Sequence, residues 1–142
     1  MKKANIWIVG TFLLITVFHY ADTLMTSDGR LYYLSLAYLA AFAISMFMTR
    51  KSKACNVFFL IYSAVLCVAI ISAVILPIMF DSDVFSILWI FAMVLIDPFI
   101  SAGMFLGGGT SLLQILILVL VCLFPFIAMA ISFSFYTKNR CE

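Results

Sequence analysis

The segment VFSILWIFAMVLIDPFISAGMFL, residues 84–106, holds one formal charge, Asp97, with Pro98 directly after it. Its reading decides how many times the chain crosses a bilayer. Proline lacks the N–H that would bond the carbonyl of Val94, and its ring disfavours the helical conformation at Asp97. The same two residues suit a restart, because Asp is a strong N-cap and Pro fits the first helical position. The segment is therefore either one strained crossing or two short helices that meet at Asp97-Pro98 and return to the face they came from.

Outward from this segment the chain is oilier still. Of 142 residues 67% are apolar and 10% charged, a composition outside the range of water-soluble domains. Asp97 is the only charge inside a long apolar run, the others falling in small islands between runs. Each crossing needs roughly 20 residues at a rise of 1.5 Å to pass a hydrocarbon core about 30 Å thick. The hydrophobic runs occupy 4–21, 31–49, 54–80, 84–106 and 112–136. They predict an all-α fold, a polytopic integral membrane bundle of five hydrophobic helices in a single transmembrane domain. The alternative has four transmembrane helices plus a broken re-entrant helix around Asp97-Pro98.

Charge placement orients these runs. Lys2 and Lys3, and then Arg50, Lys51 and Lys53, lie two crossings apart, and the positive-inside rule places both groups in the cytoplasm. Asp22, Asp28, Asp81 and Asp83 then face outward, with Tyr20, Tyr32 and Tyr33 at headgroup depth on that side. Lys2 and Lys3 before an apolar run resemble a secretory signal, but His19 is too bulky for a cleavage site after Ala21, which favours a retained anchor. Five crossings leave Lys138 and Arg140 outside, against the charge preference, whereas the re-entrant arrangement returns them to the cytoplasm. The short basic start and minimal loops suit a multi-pass protein of a bacterial cell membrane with its N-terminus cytoplasmic.

The inventory of chemistry is small. One intramembrane Asp cannot supply paired carboxylates, and no serine stands in a G-x-S-x-G context. Gly107-Gly108-Gly109-Thr110 lacks the lysine of a phosphate loop and reads as a hinge. His19 shares a helical face with Asp22, too few ligands for a metal site. Cys55, Cys67, Cys122 and Cys141 show no C-x-x-C spacing, and they read as small hydrophobes, with Cys55 near enough to the basic cluster to be acylated. No catalytic residue, cofactor or metal is expected, and the scattered basic residues form no nucleic-acid face.

Two features remain as candidate sites. A carboxylate past the bilayer midplane costs at least ~2.5 kcal/mol, so Asp97, with Pro98 and Ser101, marks either a proton or cation site or a satisfied helix cap. Ala37, Ala41 and Ser45 recur every four residues and form a candidate packing face, either within the bundle or toward another subunit. Small size and scarce polar groups predict a non-enzymatic accessory, regulatory or immunity-type subunit that binds a larger membrane complex or a second copy of itself. The alternative is a small transporter or channel protomer in which Asp97, Ser101, Ser86 and Gln114 line a polar route.

Overall fold

The computed structural model describes residues 3–25, 32–79, 83–107 and 111–141. Among the described residues there are five helices: α1 (Lys3–Met25), α2 (Tyr32–Met48), α3 (Lys53–Met79), α4 (Asp83–Gly107) and α5 (Ser111–Cys141). Three stretches are long and apolar enough to span a membrane: Lys3–Asp22, Lys53–Ile75 and Ile115–Lys138. The apolar parts of α2 and α4 are shorter, Tyr33–Met48 and Ile90–Leu106. A helix satisfies its backbone donors and acceptors within itself, which is why so apolar a chain folds this way.

The turn between α2 and α3 is held by its own polar groups. The Ser52 N–H donates to the Thr49 carbonyl at 2.8 Å, and the Ser52 carbonyl accepts the Asn56 N–H at 3.0 Å as the first bond of α3. The Asn56 side-chain amide reaches back to the Arg50 carbonyl at 2.9 Å. Arg50, Lys51 and Lys53 stay exposed around the turn.

Side-chain contacts fix the helix directions. His19 meets Ser35 and Phe12 meets Phe42, so α1 and α2 are antiparallel. Tyr38 meets Tyr62 and Phe42 meets Phe59, so α2 and α3 are antiparallel as well. Phe42–Phe124, Met46–Ser132 and Phe47–Phe135 advance together, and α5 therefore runs parallel to α2. Five successive crossings would have opposed these two helices. The five hydrophobic helices are present, but their strict alternation is not.

The reversal happens in α4. Its second half runs against α2, with Phe99 on Tyr38 and Phe105 on Tyr33. Its first residue follows Met79 by only four Cα steps, about 15 Å of chain at most. Met79 ends α3 at the end of the bundle where α2 begins, and Phe105 lies at that same end. The two ends of α4 therefore both lie toward the end of the bundle where α2 begins. Pro98, buried inside the helix, is where its hydrogen-bond ladder is necessarily interrupted. The helix is not broken at Asp97-Pro98 into two short helices: α4 is continuous from Asp83 to Gly107, with Pro98 inside it.

A ring cluster forms the core. Phe12 of α1 is fully buried, with ring centroids 5.5 Å from Phe42 and Tyr62, 5.6 Å from Phe59 and 5.9 Å from Tyr38. Phe99 and Phe124 extend it to α4 and α5. Burial from lipid adds little transfer energy, so what Phe12 contributes is packing. Phe12→Ala is expected to destabilise the fold by about 2 kcal/mol through the cavity it leaves, read as a lower unfolding midpoint in micelles. The outward faces carry bulky apolar side chains instead, among them Trp7 at 77% and Leu112 at 83% exposure.

Candidate functional site

The bend places Asp97 beside polar groups from the other helices. Asp97 is half-buried, and the Ser101 hydroxyl one turn later donates to its Oδ1 at a long 3.4 Å. That spacing follows from α-helical geometry, where residues four apart share a face. Tyr20 of α1 approaches from across the bundle. Its hydroxyl donates to the Leu95 carbonyl at 2.9 Å, and Asp97 is near enough to act on it electrostatically. The bond has a structural reason: a proline loosens the ladder just before it, and a carbonyl there needs an outside donor.

Tyr20 leads into a chain of hydroxyls. The Tyr38 and Tyr62 oxygens lie 2.6 Å apart, and the Tyr20 ring is 6.5 Å from that of Tyr38. Thr16 touches Tyr62 and donates to its own helix at the Phe12 carbonyl, 2.9 Å away. Beside Tyr38, Ser35 and the His19 ring nitrogen Nε2 share a bond of 3.2 Å, with His19 fully buried. Four helices thus contribute to one polar cluster, with Thr16, His19 and Tyr20 from α1, Ser35 and Tyr38 from α2, Tyr62 from α3, and Asp97 and Ser101 from α4. Toward the basic end of the bundle it meets Phe12, Phe42 and Phe59. Beyond these rings, toward the basic end, lie further buried polar side chains, Ser45, Thr49, Asn56 and Ser132.

Several expectations are corrected by this geometry. Tyr20 turns its hydroxyl inward onto the Leu95 carbonyl. His19 is fully buried within the bundle. Cys55 is 1% exposed, which closes its thiol to acyl transfer. Of the small-residue face, Ser45 is buried, Ala41 packs on the core and Ala37 is exposed. The side chains of Ser86 and Gln114 lie outside the described residues. Among the described residues no three of His, Cys, Asp and Glu come together.

The sequence reading missed Tyr38 and Tyr62. The available signal was depth: a phenol in the middle of an apolar run must find a partner for its O–H. Removing one of two facing hydroxyls strands the other, so Tyr38→Phe and Tyr62→Phe should each destabilise more than the additive scheme allows for the pair. A double-mutant cycle on unfolding in micelles should give a coupling of about 0.6–1.7 kcal/mol, and zero coupling would show that the two hydroxyls act independently.

The chain matches no protein-family model, no curated protein and no solved structure.

Proposed function

We infer that this is an integral membrane protein of four crossings, α1, α2, α3 and α5, with α4 dipping into the bilayer from the outer side and returning. The parallel course of α2 and α5 supports this reading. It also brings the basic residues Lys3, Arg50, Lys51, Lys53 and Lys138 to one end of the bundle, in accord with the positive-inside rule. Labelling tests it. In cells where Cys141 is replaced by Ser, Lys138→Cys should resist an impermeant maleimide while Asp22→Cys reacts; the reverse order or equal labelling would overturn the topology.

Within that architecture the protein acts as a non-enzymatic carrier protomer that binds a proton or small cation at Asp97. The observation that carries this reading is the gathering of Asp97, Ser101 and Tyr20 at a bent helix. Discontinuous helices at membrane depth serve transporters in this way, by offering side chains and loosened carbonyls to an ion. Uptake of a proton or cation into vesicles containing the purified protein is the test, with Asp97→Asn as the decisive variant.

A second reading has its own support. The polar cluster rests on tightly packed phenylalanines, Phe12, Phe42 and Phe59, as suits an accessory subunit of a larger membrane complex in which that cluster holds α4 in shape. That reading expects a stoichiometric partner after extraction in mild detergent, retained by Asp97→Asn.

A further inference from the structure

The basic end of the bundle holds a second site, separate from Asp97. A cavity of about 610 Å³ lies between the start of α1 and the α2–α3 turn. Asn5, Arg50, Lys51 and Ser52 supply its polar wall, and Phe47 and Met48 its apolar wall. Phe47 is 48% and Met48 63% exposed, so the apolar wall opens sideways, toward the acyl region on the membrane reading above. The turn is braced from within by the Asn56 amide on the Arg50 carbonyl and by the Thr49 hydroxyl on the Ser45 carbonyl at 2.7 Å. Arg50 and Lys51 are exposed at the rim. The first N–H groups of α3 add positive potential there.

Two cationic side chains, a hydroxyl and an amide next to an aromatic and a thioether wall suit a ligand with an anionic head and a hydrocarbon tail. We propose that this cavity binds the phosphate headgroup of an anionic phospholipid from the leaflet at the basic end, its acyl chain lying along Phe47 and Met48. Arg50 and Lys51 take the phosphate charge, and Ser52 and Asn5 donate hydrogen bonds to its oxygens. The aromatic run continues onto α5 through Phe135, whose ring lies 6.0 Å from Phe47. This proposal rests on the membrane topology above but not on the role of Asp97.

The test uses the full chain in a neutral detergent and measures retention of phosphatidylglycerol against phosphatidylcholine by native mass spectrometry. The expected result is preferential retention of phosphatidylglycerol, weakened about thirtyfold in Arg50→Gln/Lys51→Gln and no more than about fivefold in Lys3→Gln/Lys138→Gln, which removes the same number of same-end charges outside the cavity. Equal losses in the two variants would overturn the site, since the attraction would then be diffuse. No lipid preference would also overturn it. Because charge loss at the turn disturbs insertion, Met48→Trp serves as a second variant that fills the cavity and keeps every charge; unchanged retention there would overturn the proposal. Millimolar inorganic phosphate should not displace the lipid, and displacement would reassign the site to free phosphate. If the protein stays in solution without detergent, it is the membrane topology that fails, whereas detergent-dependent protein with no lipid preference sinks this proposal alone.

Discussion

Asp97→Asn should reduce proton- or cation-coupled uptake by about 10- to 150-fold in reconstituted vesicles while leaving expression and helix content unchanged. The magnitude follows from the chemistry lost, since a hydrogen-bonded charged group contributes about 1.5–3 kcal/mol and each 1.4 kcal/mol is tenfold. The fold should survive because asparagine keeps the shape of aspartate and still accepts the Ser101 hydroxyl, which donates to Oδ1 at 3.4 Å. The bend is retained too, being set by Pro98 and by the Tyr20 hydroxyl on the Leu95 carbonyl at 2.9 Å. Tyr20→Phe should act differently. It removes the outside donor from the bend, so it should lower the unfolding midpoint as well as uptake. Unaltered uptake in Asp97→Asn would refute the carrier reading and leave the polar cluster as a brace for α4, the role an accessory subunit requires.

The second large effect is expected at Gly103, where the returning arm of α4 presses on α5. A Cβ built there would lie 3.0 Å from Leu118 Cδ1 and 3.1 Å from Leu118 Cα. The first of these can swing away. The second is backbone, and moving it means moving α5. Gly103→Ala therefore sets an overpacking cost of about 1–3 kcal/mol against a helix-propensity gain of about 0.8–1 kcal/mol, for a small net loss. Gly103→Leu has no such offset and should separate α4 from α5, with a loss of about 3 kcal/mol or more and poor recovery from the membrane. Gly10 provides the control: a Cβ there meets nothing within 4 Å, so Gly10→Ala should stabilise by about 0.5–1 kcal/mol. Thermal unfolding of the variants in micelles checks the order. A Gly103→Leu protein as stable as its parent would mean that the two helices are not in close contact.

How much of the site was legible can be argued residue by residue. Asp97 stood out because a charge in an apolar run is rare and costly, and Pro98 because its effect on a helix is local. Ser101 followed from its spacing of four. Tyr20, Tyr38 and Tyr62 were not legible as a group, since nothing along the chain relates residues in three different helices. Tyr20 was misplaced for a further reason, namely that a tyrosine near the end of an apolar run usually anchors to headgroups, and here a loosened carbonyl competes for its hydroxyl. The stripe Ala37, Ala41 and Ser45 shows the limit of spacing arguments. Steps of four residues overshoot a turn by about 40°, so eight residues rotate the stripe by about 80° and carry Ala37 out of the contact that buries Ser45.

The amino-acid order alone determined the five helices, their approximate ends and the weak point in the fourth, because helix formation depends on hydrogen bonds between neighbours and on residues such as Pro98 that deny them. It left two arrangements of that helix open. Only the tertiary structure set the helix directions, through contacts such as Phe47 with Phe135 and Tyr33 with Phe105 that join residues far apart in the chain. Helix direction and the meeting of hydroxyls around Asp97 are properties of side chains packed against one another, and such packing has no counterpart in any single stretch of sequence.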